Sequence, residues 1–388
     1  MRGVCIYVLC IHTSFFFSLS LSVFFFFVFS LSLSLFFPMG AHLVSNPDCL
    51  GPSSTTTVLR EEPARMAPAS PEAAPVKPRK PKLVGGRYEV GSKLGAGSYS
   101  EVFEAVDKKS GKVVAVKMEW QKAEKTDKLL WEAELYKELQ HGEGIPRVRW
   151  VGSQGEYNMM VLDVLGPSLD DLFKKQRRFS VKTVVMIAKQ VITRLEFVHN
   201  CGVLYRDIKP HNFLIGVGEE VGRIYLVDFG LSKRYLDATT GDHYKCKIEK
   251  GRGIAGTVRY SSPFLHDGYE ASRRDVDLFA LGYVLMHLLR GDLPWLDISH
   301  KDKKVRNKRI GQKKAETSDK ELCSGFPSQF VDYFRYMRSV GFYDKPDYNR
   351  LQAILDKVLK ELKLKNDLVY DWSEDNDARP KKKRKLDA

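Results

Sequence analysis

The stretch LYRDIKPHNFLIG, from Leu204 to Gly216, decides the fold. It places an acid, Asp207, a cation, Lys209, and a neutral oxygen ligand, Asn212, within six residues between apolar flanks. Side chains two residues apart in an extended loop point to the same side, so Asp207 and Lys209 are expected to face one spot. Phosphoryl transfer uses such a set, because it needs a group at the attacking hydroxyl, a cation at the phosphoryl group and a metal ligand.

A second carboxylate, Asp228, follows 21 residues after Asp207 in the motif LVDFG. With Asn212 it is predicted to ligate Mg²⁺, which takes oxygen ligands from proteins and from substrate phosphates. Asp207 is then the base or orienting group, and Lys209 neutralises charge on the phosphoryl group. A single Asp of this kind is more often a turn residue or a helix cap, so the prediction depends on the whole set and its spacing.

Further candidates lie earlier in the chain. In LGAGSYSEV, Gly95 and Gly97 allow backbone amides to approach a polyphosphate, although this signal is weak alone. Lys117 closes the apolar strand VVAVK and is predicted to hold the α- and β-phosphates, with a surface lysine as the alternative. Glu132, on the next predicted helix, is the expected partner of Lys117, and Glu134, on a different helix face, is its competitor.

Length and composition indicate one large domain, or two, with tails. The chain has 388 residues, 43% of them apolar, which is enough for a sizeable core. The formal net charge of +14 favours anionic partners, although part of the excess lies in the C-terminal run RPKKKRK. None of the six cysteines forms a CxxC pair, so neither a zinc site nor a disulfide framework is expected, and a reducing compartment is favoured.

The N-terminal region divides into an apolar leader, residues 1–38, and a Pro-rich linker, residues 39–86. Residues 14–37 contain only Phe, Ser, Leu and Val and are long enough to span a membrane, with a signal peptide as the second interpretation. We favour a third interpretation, a mis-called start, in which a pyrimidine-rich leader has been read as protein and the true start is Met39 or Met66, because these residue types share pyrimidine-rich codons. The linker is expected to be disordered or locally polyproline II.

From residue 87 the pattern changes to apolar alternation broken by Gly turns, which predicts antiparallel strands around one helix, TDKLLWEAELYKELQ. After residue 167 it is largely helical, with broad apolar stripes in SVKTVVMIAKQVITRLEFVHN, DVDLFALGYVLMHLLRG and YNRLQAILDKVLKELKL. The sequence therefore predicts an α+β fold, with a small β-rich N-lobe over 87–163 and a larger helical C-lobe over 168–372. A charged tail, 373–388, follows.

The candidate residues occur in the chain order of the protein-kinase signature. Longer motifs indicate which branch of the protein kinases the chain resembles. They are GIPRVRW, YNMMVLDVLGPSLDDLF, RDIKPHNFLIG, DFGLSKRY, GTVRYSS, SRRDVDLFALGYVL, GDLPW and DKPDYNRL. Over 87–372 the chain resembles the casein kinase I family, and the tau-tubulin and vaccinia-related kinases fit less well. The resemblance implies a two-lobed protein-kinase fold that uses ATP and Mg²⁺ to phosphorylate protein Ser or Thr.

The resemblance also implies a nucleotide pocket, with Leu162 as gatekeeper, residues 163–165 as hinge, and Asp277 as the anchor of the catalytic loop. Its implied ATP-binding residues are Leu94, Gly95, Ala96, Gly97, Ser98, Tyr99, Ser100, Glu101, Val102, Ala115, Lys117, Leu162, Asp163, Leu165 and Leu214. Ser100 departs from the family pattern, because it replaces the third loop glycine and is expected to stiffen the loop. His211 stands where the family has Asp, at a position that is not a ligand, and is expected to be tolerated.

The resemblance further implies a preference for substrates that are acidic or already phosphorylated shortly before the target. Residues 301–314 carry eight basic residues and one acid, which gives that preference a physical basis. Arg259, Lys303 and Arg306 would form the anion pocket, because a guanidinium can hold a phosphate bidentately. A solvated basic loop is the alternative.

The C-terminal run has five consecutive basic residues, 381–385, after Pro380, which is typical of a nuclear import signal. We expect an import receptor to bind residues 380–385 and the protein to occupy cytoplasm and nucleus. A basic tail that binds nucleic acid or acidic lipid is the alternative, but nucleic acid is not expected as the main ligand. A membrane is expected only if residues 14–37 are translated, and the protein is expected to be a monomer.

A pseudokinase scaffold is the competing class of function. The presence of Lys117, Asp207, Asn212 and Asp228 argues against it, because such scaffolds usually lack one of these groups, and only Ser100 points weakly the other way. The resemblance suggests activity without a dedicated activation site, although Thr239, Thr240 and Thr257 are candidates for phosphorylation.

Overall fold

The computed structural model describes part of the chain. The described ranges are residues 78–97, 100–121, 128–237, 239–248, 253–269 and 275–373. None of the helices in these ranges is long and apolar enough to cross a membrane. The predicted leader 1–38, most of the linker and the import-like run 380–385 lie outside the described residues.

The N-lobe is an antiparallel sheet with one helix. Its strands are β1 (Leu83–Val84), β2 (Tyr88–Ala96), β3 (Ser100–Asp107), β4 (Val113–Trp120), β5 (Val148–Gln154) and β6 (Tyr157–Asp163), in the order β1-β2-β3-β4-β6-β5. Successive side chains of a strand point to opposite faces. In β4, Val116 and Met118 are therefore buried in one small core, while Lys117 between them faces the other side of the sheet.

The sheet begins before residue 87, which corrects the predicted end of the linker at residue 86. Leu83 pairs with Glu89 and Val84 with Tyr88 across a tight turn. Gly85 and Gly86 form this turn with φ values of 54° and 65°, which glycine adopts without steric cost. The strand was not predicted because two residues are too few to show alternation.

The C-lobe is mainly helical. The helices of the described residues are α1 (Lys128–Leu139), in the N-lobe, then α2 (Leu169–Gln176), α3 (Val181–Asn200), α4 (Pro263–His266), α5 (Asp275–Arg290), α6 (Lys303–Glu316), α7 (Asp319–Leu322), α8 (Gln329–Ser339) and α9 (Tyr348–Glu361). Short strands flank the central loops: β7 (Val203–Leu204), β8 (Phe213–Ile215), β9 (Ile224–Leu226) and β10 (Lys233–Arg234). The α+β architecture with a β-rich N-lobe and a helical C-lobe is confirmed.

Helix α1 connects the two lobes. Its buried apolar side chains belong to the large core that is formed mainly by α3, α5, α8 and α9. Tyr136 of α1 meets Phe229 edge-on, with ring centroids 5.0 Å apart. This packing fixes α1, and therefore Glu132 on it, relative to the loop that follows β9.

Candidate active site

The loop that contains Asp207 is held in place by the buried carboxylate of Asp277. Asp277 of α5 is 1% exposed and accepts hydrogen bonds from the backbone N–H of Tyr205 at 2.8 Å and of Arg206 at 2.7 Å. The His199 Nε2 atom lies 3.0 Å from the same carboxylate. Arg206 adopts a φ of 72°, which is costly for a residue with a side chain, and these contacts hold it there.

The Asp207 carboxylate is itself fixed from several sides. Its side chain is buried, and Oδ1 accepts a hydrogen bond from Thr257 Oγ1 at 2.9 Å. The ammonium of Lys209 donates to Oδ2. Asn212 Nδ2 donates to the Asp207 carbonyl at 3.0 Å and approaches Oδ2 at 3.3 Å. The structure thus brings Asp207, Lys209 and Asn212 together, and the Asn212 amide nitrogen faces Asp207.

A second cluster joins the lobes. Lys117 Nζ lies 2.8 and 2.7 Å from the two carboxylate oxygens of Glu132 and 2.9 Å from Asp228 Oδ1. Burial alone would lower the pKa of the Lys117 ammonium, but Glu132 and Asp228 outweigh burial and raise the pKa above its usual range. Burial raises the pKa of Glu132 above its usual range. Glu134, the predicted competitor, is exposed and pairs with Lys137 at 2.6 Å.

The backbone around Asp228 is held in an uncommon conformation. Asp228 has a φ of 64°, and its N–H donates to the Tyr136 hydroxyl at 2.9 Å. Phe229 is fully buried between Tyr136 and Tyr205. The Val227 N–H donates to the Asn212 carbonyl at 3.1 Å, so the two candidate metal ligands sit on adjoining loops.

The donor set fits a hard divalent cation. A carboxylate oxygen of Asp228 and the amide oxygen of Asn212 are ligands of the type Mg²⁺ prefers. In the described part of the chain no group of three or more His, Cys, Asp or Glu side chains is placed to hold a metal ion. Asn212 and Asp228 supply two such oxygens, and Mg²⁺ sites of this kind take their remaining ligands from waters and substrate phosphates.

The β2–β3 hairpin forms one wall of the candidate nucleotide pocket. In it, Gly95 pairs with Val102, Ala96 pairs with Glu101, and the Gly97 N–H donates to the Ser100 carbonyl at 2.8 Å. Apart from Gly95's own chain neighbours, no atom of the described residues lies within 4 Å of where a Gly95 side chain would begin, so a ligand can approach the backbone there. Ser98 and Tyr99, also predicted to bind ATP, lie outside the described residues.

The other predicted pocket residues lie on neighbouring strands. In the sheet, Ala115 pairs with Leu162, and Lys117 pairs with Val102. Leu94 at the entrance is half exposed, whereas Leu162, Leu165 and Leu214 are partly buried. The Gly166 N–H donates to the Ile215 carbonyl at 2.9 Å, which ties the segment after β6 to β8 and to Leu214 on it.

Two predicted ATP-binding side chains are engaged elsewhere. The Asp163 carboxylate accepts hydrogen bonds from Arg149 Nε at 2.5 Å and the Arg147 N–H at 3.4 Å. The Glu101 carboxylate pairs with Lys93 at 2.7 Å and Lys80 at 2.9 Å. Both carboxylates therefore already have cationic partners.

The predicted anion-binding residues occupy two elements. Arg259 is exposed on the turn after Thr257, and Lys303 and Arg306 lie in the first turns of α6, which is a helix rather than a loop. Asp302 caps α6, accepting from the Lys304 N–H at 2.6 Å. The structure does not bring these three side chains into direct contact with the Asp207 cluster.

Sequence analysis missed several residues that organise the site. Tyr136 and His199 were not considered, and Thr257 was considered only as a phosphorylation candidate. The buried position of Lys314 was also missed, because it was counted as one of the surface basic residues. Tyr136 lies three residues before Leu139 on a predicted apolar stripe, a signal that locates it in the core but does not reveal its bond to Asp228.

The comparison with known families agrees with this geometry. The family model described as protein kinase domain matches residues 88–361. The chain therefore belongs to the protein kinase family, whose members transfer phosphate from ATP to proteins and generally use Mg²⁺.

Proposed function

We propose that this protein is an active Ser/Thr kinase of the casein kinase I type that favours acidic or phosphorylated segments. The observation that carries the proposal is the assembled centre, in which Lys117 contacts Glu132 and Asp228 while Thr257 holds Asp207. A scaffold that only bound partners would not need these four charged side chains to converge on one cleft.

The proposed roles follow from the contacts. Bound ATP with Mg²⁺ supplies the phosphoryl group and its charge neutralisation. Asp207 orients the substrate hydroxyl and accepts its proton as the hydroxyl oxygen bonds to the γ-phosphorus and the bond to ADP breaks. Lys209, beside Asp207, balances the negative charge that develops on the phosphoryl group. Lys117, fixed by Glu132, holds the α- and β-phosphates.

Substrate preference is proposed to come from the basic side chains around the cleft. Arg259 lies on the turn directly after Thr257, and Lys303 and Arg306 lie in the first turns of α6. A phosphate or carboxylate a few residues before the target would meet these cations. Import through residues 380–385 into the nucleus, in addition to a cytoplasmic pool, is proposed from the sequence motif alone.

The test measures phosphate transfer from ATP-Mg by the full chain to two peptides. One carries a phosphoserine three residues before the target serine, and the other a plain serine there. We expect a clear preference for the phosphorylated peptide and no transfer by Asp228→Asn. Equal rates on both peptides would contradict the substrate preference. Nucleotide binding without any transfer would favour the scaffold.

A further inference from the structure

Lys314, in the last turn of α6, is turned into the protein interior. Its side chain is 2% exposed, although it belongs to the strongly basic stretch 301–314. Nζ donates to the carbonyl of Val258 at 2.8 Å and to that of Ser261 at 2.7 Å. It also lies 5.2 and 5.4 Å from the ring centroids of Tyr283 and Trp295. Lys314 therefore adds nothing to the charged surface.

Burying an ammonium group is unfavourable. Burial lowers the pKa of Lys314 well below its usual range. Two carbonyl acceptors and two ring faces offset part of that cost. A methionine at this position would fill a similar volume without the cost of burying an ammonium group. The specific contribution of Lys314 is thus to fix the two carbonyls of the turn between Val258 and Ser261.

This turn reaches the catalytic loop. Thr257, directly before it, donates to Asp207 Oδ1, and the N–H groups of Tyr260 and Ser261 donate to the Thr257 carbonyl at 2.9 and 3.1 Å. Gly256 has a φ of 86°, and a side chain there would begin 2.4 Å from the Arg206 carbonyl. The turn therefore rests against the loop with no room between them, and a shift of the turn would move Thr257 away from Asp207.

The same turn carries Arg259. On α6, Arg306 and Lys314 are eight residues apart, which is about 12 Å along the helix axis. Lys314 thus ties the helix that begins with the basic residues to the turn that holds Arg259 and, through Thr257, to Asp207.

We propose that Lys314 is a positioning residue, which holds the turn after Thr257 in place and so aligns Asp207 for phosphate transfer. This deepens the proposed function and rests on it for the role of Asp207. The relevant readout is kcat, because the alignment of Asp207 affects the transfer step more than nucleotide binding.

The test compares Lys314→Met with Lys320→Met in the full chain. Lys320 is an exposed lysine on α7 and serves as the matched control. Lys314→Met should lower kcat about 10- to 100-fold, because it leaves two buried carbonyl groups without their donor, while the KM for ATP changes less than about 3-fold. Lys320→Met should match the wild type. An unchanged kcat for Lys314→Met would overturn the proposal.

A double-mutant cycle with Thr257→Val separates positioning from general stability. If Lys314 acts through Thr257, the double variant should lose little more kcat than either single variant. If the fold-losses in kcat of the two single variants multiply in the double variant, the proposal is overturned. Should Lys314→Met not fold, Lys314→Gln, whose shorter side chain cannot reach both carbonyls, enters the same cycle and is judged by the same coupling.

Lys314→Met and Lys320→Met are each compared with the wild type, on whichever peptide the wild type phosphorylates fastest. A wild type that does not discriminate between phosphorylated and plain peptides would contradict the substrate preference alone. The Lys314 comparison would still be decided by kcat.

Discussion

The charged side chains of the catalytic centre are fixed by several partners each, whereas two of the three predicted anion-binding side chains extend toward solvent. Lys117 has three carboxylate oxygens within 2.9 Å, and Asp207 is 4% exposed. Lys303 and Arg259, by contrast, are exposed. The difference indicates a preorganised centre for the transfer step and an adaptable surface for recognition. Mutations in the first region should change kcat, and those in the second should change substrate preference.

The largest effect is expected at Asp207. Asp207→Asn keeps the shape of the side chain but removes the proton acceptor, so kcat should fall by about 10²- to 10⁴-fold. Steady-state rates with a saturating peptide check this, with the exposed Asp242→Asn as control. A loss of less than about tenfold would exclude Asp207 as the base.

A smaller effect is expected from the hydroxyl that holds this carboxylate. Thr257→Val removes the donor at 2.9 Å from Asp207 Oδ1 and should lower kcat about 10- to 100-fold. Thr257→Ser keeps the hydroxyl and should retain most of the activity. The hydrogen bond would be irrelevant to catalysis if both variants behaved alike.

The buried region should also make stability depend on pH. Burial lowers the pKa of His287 from 6.5 to about 4, and its Nδ1 lies 2.7 Å from the Tyr260 hydroxyl. Because the pKa of His287 is lower in the folded than in the unfolded protein, neutral His287 contributes to the free energy of unfolding. This contribution is fully present above pH 6.5 and is lost as the pH falls toward 4.

Urea unfolding measures this effect at pH 7.5 and pH 5. His287→Phe should reduce the loss of unfolding free energy between these conditions by about 2 kcal/mol. His141→Phe, at an exposed position, serves as control. An unchanged pH dependence in His287→Phe would show that other groups cause the acid sensitivity.

The smallest effect is expected on the exposed surface. Arg259→Ala combined with Arg306→Ala should weaken kcat/KM for the phosphorylated peptide about tenfold and for the plain peptide less. The difference between the losses for the two peptides should shrink at high salt, because exposed charges are screened. Lys360→Ala, an exposed lysine on α9, is the control. Equal losses on both peptides would mean that these arginines do not read the phosphate.

Local sequence patterns predicted the architecture well. The apolar stripe of the last predicted helix corresponds to α9, in which Leu351, Leu355 and Val358 are buried. The start of α3 was not predicted from a cap, although Ser180 caps it, with its hydroxyl accepting from the Thr183 N–H. Strand β1 escaped prediction because its pairing depends on a two-glycine turn and not on an extended apolar pattern.

The site was predictable where its residues fall in compact motifs, and less so where contacts are long-range. Asp207, Lys209 and Asn212 lie within one loop, so their proximity follows from the chain itself. The bond of Asp228 to Tyr136 spans 92 residues, and that of Lys314 to Val258 spans 56. Such contacts depend on the packing of whole helices, which no local spacing encodes.

If the observed contacts suffice for catalysis, the enzyme needs no phosphate on the segment between Asp228 and Thr257. The direct measurement is the initial rate of phosphate transfer by the full chain after phosphatase treatment, removal of the phosphatase and verification by mass spectrometry. We predict full activity from the first turnovers, at a rate proportional to enzyme concentration. Inactivity, or a lag that shortens as enzyme concentration rises, would contradict a preassembled centre.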